Sequence, residues 1–287
     1  MRPLNSNIPA FNLTVSTLLR RPSLLLPNLT VPTLLQLPAD LGAHLAPPSS
    51  TARTAFKPPT IRALVLDKDN TFTPPNRLAV PPSYLAKLRS LRTDPASPFN
   101  LTRNPHGILI VSNTAGSNPA NARYAAEADA LEAALADLRI PVFRSPPHES
   151  GGGSNHHHRT PIKKPFSHRA ILRYLVERGV VESPAEIAVV GDRLGTDVLM
   201  AGLMGAWSVW VKDGVMEGAE GVDLGRQGVD YRGIWAKMET RLEEGGQAFD
   251  AERVGGYGLM MRSAGLFSSE PRIGRERRTN RSGWSHR

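Results

Sequence analysis

Two aspartates separated by one residue stand at the end of an apolar run, where the sequence reads LVLDKDNT over residues 64–71. Like charges placed so close together repel one another unless a cation or a substrate offsets them. A strand followed by an Asx-type turn would also explain an isolated D-x-D pair. The way in which other apolar segments of the chain end distinguishes the two interpretations.

Two further apolar segments, at residues 107–113 and 187–192, also run into polar side chains. The polar residues after these segments, with a lysine pair between them, are Ser112, Asn113, Thr114, Lys163, Lys164, Asp192 and Asp197. In open α/β sheets, ligands bind beyond the carboxyl ends of the strands. Three apolar strands that end in carboxylates or hydroxyls on the same rim therefore predict one site.

The inventory of this predicted site indicates its chemistry. Several carboxylates, with no cysteine in the chain, favour a hard cation with oxygen ligands, most simply Mg²⁺. A lysine near those carboxylates would stay protonated and could bind an anion, and a serine hydroxyl could add a hydrogen bond. Such a set fits phosphoryl transfer with a carboxylate as the nucleophile.

The elements that would position these residues alternate between strand and helix. Predicted strands lie at 61–67, 107–113, 140–144, 187–192 and 206–214, and predicted helices at 82–92, 118–138, 167–179 and 196–205. The strand segments are continuous apolar runs, which are typical of strands covered on both faces. This alternation predicts an α/β fold with a doubly wound parallel sheet.

Composition bounds the class of protein. The chain has 287 residues, of which 40% are hydrophobic, enough for one α/β domain with extensions. The absence of cysteine excludes disulfides, zinc-thiolate sites and cysteine nucleophiles. No run of about 18 apolar residues is present, so no transmembrane helix is predicted.

The net charge of +9 lies entirely in the two flanks. Residues 1–62 hold six basic residues and one acid, residues 250–287 hold eight basic residues and four acids, and the segment between is balanced. Basic ends on a neutral body favour attachment to an anionic membrane or nucleic acid, although solvated tails would have the same composition. The basic tail has few aromatic residues to stack bases, so no nucleic-acid partner is predicted.

These patterns divide the chain into five parts. Residues 1–45 are predicted to be a membrane-associating or targeting arm, with a short amphipathic helix at 10–21 before prolines interrupt any regular helix. The apolar segment among these prolines could bind a surface or pack on the core. The remaining predicted parts are a linker at 46–60, the catalytic domain at 61–249, a flexible Gly/Ser/His insertion within it at 145–161, and a disordered basic tail at 250–287. Three adjacent histidines, 156–158, cannot all face one ion from regular structure, which disfavours a metal site there.

The motifs DKDNT, SN, KKP and GDRLGTD, in this order and context, resemble the four motifs of the haloacid dehalogenase-like (HAD) superfamily of phosphatases. The resemblance implies a Rossmann-like fold in which Asp67 is the nucleophile and Asp69 the general acid and base. It also implies phosphate contacts from Ser112, Asn113 and Lys164, and Mg²⁺ contacts from Asp67, the backbone carbonyl of Asp69, Asp192 and Asp197. The acid at position 69 favours a phosphatase over a dehalogenase.

Some of these assignments have alternatives in the sequence. Asp197 could simply cap the helix that starts near it, and Lys163 could be the site lysine in place of Lys164. Arg193 could contact a substrate or only pair with a neighbouring acid. The short intervals between the motifs leave no room for a large cap domain, which suits a large or surface-bound substrate.

Longer stretches, among them LVLDKDNTFTPP and AVVGDRLGTDVLMAGLMGAWSVWVKDGV, resemble fungal mitochondrial phosphatidylglycerophosphate phosphatases. That resemblance implies an anionic phospholipid substrate, peripheral attachment to the matrix side of the mitochondrial inner membrane, and a role on the way to cardiolipin. A phosphatase for soluble sugar or nucleotide phosphates is the rival enzyme, and a non-enzymatic membrane-binding scaffold is a third hypothesis.

Overall fold

A five-stranded parallel sheet lies at the centre of the protein. This computed structural model describes residues 8–45, 57–118, 120–146, 163–217 and the backbone of 229–230. The strands are β1 (Leu29–Val31), β2 (Ala63–Leu66), β3 (Ile108–Ile110), β4 (Ile187–Gly191) and β5 (Trp207–Val211), in the order β1-β5-β4-β2-β3. Each neighbouring pair is parallel. The strand predicted at 140–144 is reduced to a single bridge between Val142 and Ile110.

Within the described residues, six α-helices and several tighter turns precede or connect the strands. The helices are α1 (Ile8–Arg20), α2 (Leu41–His44), α3 (Pro82–Thr93), α4 (Ala122–Ala134), α5 (His168–Glu177) and α6 (Leu199–Met204). Short 3₁₀ turns lie at Pro22–Leu25, Leu34–Gln36, Ala136–Leu138 and Pro184–Glu186, and a π-helical turn at Leu194–Val198. A two-stranded antiparallel pair joins β6 (Met216–Glu217) to β7 (Val229–Asp230).

Helices cover both faces of the sheet, as the sequence predicts. Successive residues of β2 point to opposite sides: Leu64 and Leu66 join a core that includes residues of α3 and α4, whereas Val65 joins a second core with residues of α5 and α6. All four residues of β2 are buried. This explains why the strand is a continuous apolar run, and it confirms the doubly wound α/β fold.

The chain changes direction across the sheet at β2. From β2 it moves to β3 on one side, and it later returns to β4 on the other side of β2. A crevice forms at such a switch point because the connections on its two sides lead away from each other. The residues that follow β2, β3 and β4 therefore meet at one rim.

The prediction of a separate arm over residues 1–45 is wrong for residues 29–45, which belong to the domain. Strand β1 pairs with β5, and Leu34, Leu37 and Leu41 are buried in the core beside α3. Thr33 and Gln36 form a reciprocal capping box that closes the turn between them. Prolines exclude a long helix here but are compatible with an edge strand and short turns. The domain thus begins before the predicted boundary at residue 61.

Helix α1 occupies a different environment from the segment that follows it. Ala10 and Thr17 are buried. The Thr14 hydroxyl donates to the Ala10 carbonyl over 2.8 Å and also lies within hydrogen-bond distance of the Gly195 carbonyl, at 3.2 Å. Leu18 and Leu19 are 58% and 63% exposed. The helix therefore rests against the π-helical turn and leaves an apolar side uncovered among the described residues.

Several predictions fall on other parts of the chain. Most of the insertion at 145–161 and of the linker at 46–60 lies outside the described residues, as do the three histidines and the whole tail at 250–287. Within the described part of the chain, no helix is long and apolar enough to cross a membrane.

Candidate active site

Three buried aspartates converge at the carboxyl rim of the sheet. Asp67 follows β2, and its backbone N–H donates to the Val190 carbonyl of β4. Asp192 follows β4 directly, and Asp197 lies in the π-helical turn beyond it. One carboxylate oxygen from each of the three lies within 4.8 Å of the others. The convergence that the strand ends predict is therefore present.

A single lysine lies between two of these carboxylates. The ammonium of Lys164 is 2.5 Å from Asp67 Oδ1 and 2.6 Å from Asp197 Oδ1, and the side chain is buried. The ammonium of Lys163 instead lies over the ring of Tyr124, 6.0 Å from its centroid. Of the two candidate lysines, only Lys164 is at the rim.

Asn113 holds the loop that carries this lysine. Its side-chain oxygen accepts a hydrogen bond from the backbone N–H of Lys164 over 2.9 Å. The contact joins the end of β3 to the lysine loop across 51 positions of sequence. This bond gives Asn113 the task of positioning Lys164, whereas its contact with phosphate stays a prediction.

Burial and the charges of neighbouring groups shift the pKa values of the side chains at this rim. Burial raises the pKa of Asp67 to about 6, although the charge of Lys164 opposes the rise. Burial likewise raises the pKa of Asp192 to about 8, against the attraction of Arg193. Burial alone would lower the pKa of Lys164, but the carboxylates of Asp197 and Asp67 outweigh it and raise the pKa. The ionised forms of Asp67 and Asp192 are therefore disfavoured by burial and by the neighbouring carboxylates.

A divalent cation would offset this penalty on the ionised carboxylates. Asp192 Oδ1 is buried and has no hydrogen-bond partner among the described residues, with the Arg193 guanidinium 3.8 Å away. An unpaired buried carboxylate oxygen is costly unless an ion coordinates it. Oxygen ligands from Asp67, Asp192 and Asp197 are the donor set that Mg²⁺ prefers.

Asn70 is a further residue of the site, for which the motif pattern alone predicts no role. Its side-chain N–H donates to Asp192 Oδ2 over 3.1 Å, and its side-chain oxygen lies 3.4 Å from the backbone N of Val215. Its φ of 61° places it in the left-handed region, which Asn tolerates better than most residues. The sequence offers one indication that Asn70 belongs to the site, because this residue directly follows the second aspartate of the first motif. Trp210 contacts the same residue through its backbone, because its indole N–H donates to the Asp192 backbone carbonyl over 3.0 Å.

A close approach of backbone and carboxylate explains the glycine before Asp192. A Cβ atom at Gly191 would lie 2.3 Å from the carboxyl carbon of Asp197. Asp197 Oδ2 also accepts the backbone N–H of Arg193 over 3.2 Å. Because Asp197 lies within the π-helical turn and contacts Lys164, helix capping alone does not account for its position.

The carboxylate of Asp69 lies apart from this cluster. Its Oδ1 accepts hydrogen bonds from the Lys68 ammonium at 2.7 Å and from the backbone N–H of Asn76 at 2.8 Å. Its Oδ2 is 3.5 Å from the hydroxyl of Thr114. The side chain therefore does not belong to the cluster of Asp67, Asp192 and Asp197. This agrees with the expectation that a metal contact of Asp69 would come from its backbone carbonyl.

Two hydroxyls at the end of β3 complete the rim. Ser112 Oγ is 3.0 Å from Thr114 Oγ1, and it accepts the backbone N–H of Thr114 over 3.1 Å. Ser112 is buried. The pair forms a polar link between the predicted phosphate position and Asp69.

A doubly wound sheet with clustered aspartates and a lysine at its switch point is the arrangement expected of the HAD-like phosphatases that the motifs resemble. The model of the family described as mitochondrial PGP phosphatase matches residues 8–216 of the chain. The chain therefore belongs to the mitochondrial PGP phosphatase family, which confirms the resemblance seen in its sequence.

Two curated relatives agree with this assignment. "Phosphatidylglycerophosphatase GEP4, mitochondrial" of Saccharomyces cerevisiae is 39% identical over 158 residues, which cover 54% of this chain and 69% of the relative. "Probable phosphatidylglycerophosphatase, mitochondrial" of Schizosaccharomyces pombe is 30% identical over 158 residues, which cover 55% of this chain and 63% of the relative.

A solved structure of a candidate HAD-like phosphatase from Mesorhizobium loti has a TM-score of 0.33 and 22% identity to this chain. The alignment covers 58% of this chain and 78% of the other. This likeness is too distant to support an argument about the site.

Proposed function

We propose that the protein is a Mg²⁺-dependent phosphatase that converts phosphatidylglycerophosphate to phosphatidylglycerol, a step on the way to cardiolipin. The observation that carries the proposal is the family match over residues 8–216, which spans every site residue. The convergence of Asp67, Lys164 and Asp197 supports it, because this is the geometry that a carboxylate nucleophile needs.

In the proposed mechanism the carboxylate of Asp67 attacks phosphorus and forms an aspartyl-phosphate. Lys164 orients that carboxylate and would balance charge on the phosphoryl oxygens, with Ser112 as a hydroxyl donor. Asp69 gives a proton to the oxygen of the leaving alcohol as the bond between that oxygen and phosphorus breaks. The same group then takes a proton from the water that hydrolyses the aspartyl-phosphate.

Mg²⁺, when bound, would neutralise negative charge on the carboxylates and on the phosphoryl group. The residues that would hold it are Asp67, Asp192 and Asp197, with the backbone carbonyl of Asp69 as a further ligand. Asn70 would orient the Asp192 carboxylate through its hydrogen bond to Oδ2, since groups around a metal site commonly orient the metal ligands in this way.

The segment after Asp69 leaves this side of the site open, which is compatible with a large substrate. Between residues 71 and 107 the described chain forms only α3 and connecting turns, with no separate domain over the rim. A site without a cap over this side is accessible to a phosphate group that projects from a bilayer. Soluble phosphomonoesters would also reach such a site, and for this reason the proposal needs a direct comparison of substrates.

That comparison is an assay of phosphate release. We expect phosphatidylglycerophosphate in vesicles to be hydrolysed with a kcat/KM at least about tenfold above that of sugar and nucleotide phosphates, in which case lipid recognition lowers the barrier by about 1.4 kcal/mol or more. Chelation of Mg²⁺ should abolish the release. Equal or faster turnover of a soluble phosphomonoester would favour the rival function, and no release from any substrate would contradict a phosphatase.

We also propose that α1 attaches the enzyme to an anionic membrane surface. The exposed apolar side chains of this N-terminal region are Phe11, Val15, Leu18, Leu19 and Leu26. Arg20 and Arg21 are exposed beside them, and the first 39 residues contain no acid. Apolar side chains with adjacent cations suit the interface of an anionic bilayer, where each basic residue contributes about 1 kcal/mol.

The contact between Thr14 and Gly195 supports this location for the surface. It holds α1 against the turn that carries Asp197, so a membrane bound by α1 would lie close to the rim. The names of the two relatives place them in mitochondria, and we extend this to the matrix side of the inner membrane for the present chain.

Vesicle co-sedimentation tests the attachment. Deletion of residues 1–45 would remove β1 and part of the core, so point substitutions are the better tool. Leu18→Glu with Leu19→Glu should strongly reduce binding to cardiolipin-containing vesicles. Val176→Glu is a matched control, because Val176 is 45% exposed on α5. If the double variant at Leu18 and Leu19 bound these vesicles as well as Val176→Glu does, α1 would be excluded as the attachment surface.

A further inference from the structure

Lys68 is a buried charged residue that the proposed mechanism does not use. Its side chain is only 2% exposed, although it lies between the two aspartates of the first motif. The ammonium donates to Asp69 Oδ1 over 2.7 Å and to the Arg77 carbonyl over 3.1 Å. Burying an ammonium is costly, so these two contacts must hold it firmly.

The contacts of Asp69 distinguish its two oxygens. Oδ1 accepts two donors, the Lys68 ammonium and the backbone N–H of Asn76. Among the described residues, Oδ2 has only the Thr114 hydroxyl as a partner, at 3.5 Å, and that hydroxyl is linked to Ser112. Charge-assisted donors stabilise negative charge on the oxygen that they contact. A proton on this carboxyl group is therefore favoured on Oδ2, which faces the rim.

From this asymmetry we infer that Lys68 is a positioning residue for the reaction. It fixes the carboxyl group of Asp69 so that Oδ2 is the oxygen that exchanges the proton. The inference rests on the proposed function, because it assumes that Asp69 acts as general acid and base. It adds a residue and an atom that the motif alone does not assign.

The proton balance follows from the two half-reactions. In the first, the bond between phosphorus and the leaving oxygen breaks, and the proton on Asp69 Oδ2 moves to that oxygen. In the second, water attacks the aspartyl-phosphate, its proton moves to Oδ2, and the bond between Asp67 and phosphorus breaks. Asp69 ends each cycle as it began, and Oδ1 stays bound to Lys68 throughout.

A purely structural role for Lys68 makes a different prediction. The bond to the Arg77 carbonyl also ties the turn after β2 together, so loss of Lys68 could disturb the whole rim. Such a disturbance would slow all substrates alike. Loss of proton transfer would instead lower kcat/KM, which reports formation of the aspartyl-phosphate, only for those substrates whose leaving group needs a proton.

Leaving groups of different basicity separate the two roles. An alkyl phosphomonoester leaves as a basic alkoxide, whereas p-nitrophenyl phosphate leaves as a stable phenolate. With Lys68→Met we expect kcat/KM for the alkyl ester to fall about 10²-fold or more, and that for the p-nitrophenyl ester to fall less than about tenfold. Lys68→Gln, which keeps a neutral donor, should lie between Lys68→Met and wild type.

A double-mutant cycle with Asp69→Asn completes the test. In that background the addition of Lys68→Met should cause little further loss with the alkyl ester. Equal losses on both esters, or full additivity with Asp69→Asn, would overturn the inference. Hydrolysis by the wild-type protein reports separately on the proposed function, since its absence would contradict a phosphatase whatever the ratio in the variants. Thermal unfolding of Lys68→Met and Lys68→Gln identifies a variant that fails to fold, and the other variant then decides.

Discussion

Lys164 and Asp67 form a buried ion pair, 2.5 Å from ammonium to carboxylate, between positions 97 residues apart in the sequence. The same ammonium reaches Asp197 at 2.6 Å. A buried charge that loses its partner is strongly unfavourable, so each member of this group depends on the other two. The lysine thus links the proposed nucleophile to the proposed metal site.

Replacement of Lys164 should strongly reduce phosphatase activity, whereas replacement of the adjacent Lys163 should not. We expect Lys164→Met to lower kcat/KM for phosphate release about 10²- to 10³-fold, because a preorganised cation for the phosphoryl oxygens is lost. Lys163→Met is the matched control and should stay within about threefold of wild type, since Lys163 lies over Tyr124 instead. The opposite order of the two variants would show that the site lysine is misassigned.

Asn70 should control the affinity for the metal. Asn70→Ala removes the hydrogen bond to Asp192 Oδ2, and loss of such supporting contacts typically weakens metal binding about 10- to 100-fold. We therefore expect the Mg²⁺ concentration for half-maximal activity to rise by that factor. The maximal rate at saturating Mg²⁺ should fall much less. An unchanged Mg²⁺ dependence would mean that Asp192 is not held by Asn70 for metal binding.

A methyl group at Gly191 should disrupt the same region by steric overlap. The added Cβ would meet the Asp197 carboxyl group, so Gly191→Ala must displace Asp197 or strain the strand end. We expect loss of most phosphatase activity and weaker Mg²⁺ binding by isothermal titration calorimetry. Wild-type activity and Mg²⁺ affinity in this variant would contradict the role given to Asp197.

Two leucines test the division of the N-terminal region between core and surface. Leu34 is fully buried, whereas Leu19 is 63% exposed. Leu34→Ala should lower the free energy of unfolding by about 2–5 kcal/mol, as large-to-small changes in a core do. Leu19→Ala should change it by no more than about 0.5 kcal/mol. Chemical denaturation measures both, and equal effects would refute this division.

Much of the fold could be predicted because the local pattern and the global arrangement agree. The segments that became β2 and β4 are continuous apolar runs, and each is buried throughout in the sheet. Parallel strands place their carboxyl ends at one edge, so the meeting of Asp67 and Asp192 follows from topology alone. The site could be outlined for the same reason.

Other features depend on contacts that no local pattern records. Strand β1 pairs with β5, which lies far along the chain, so its three residues carried no distinguishable strand signal. The side chain of Lys68 turns away from the carboxylate cluster toward the Arg77 carbonyl because of the geometry of the following turn. The left-handed backbone of Asn70 places its amide on Asp192 in a similar way.

The identity of the nucleophile is the central claim, and trapping of the phosphoenzyme tests it most directly. Asp69→Asn lacks the base for hydrolysis of the intermediate but can still form it from p-nitrophenyl phosphate, whose leaving group needs no proton. Protein quenched after mixing with this ester and Mg²⁺ should therefore carry a phosphoryl group on Asp67 by mass spectrometry. Asp67→Asn should carry none, and its turnover should fall on the order of 10⁴- to 10⁶-fold. Phosphate release at a near-normal rate from Asp67→Asn, with no phosphoryl group ever found on Asp67, would contradict the account.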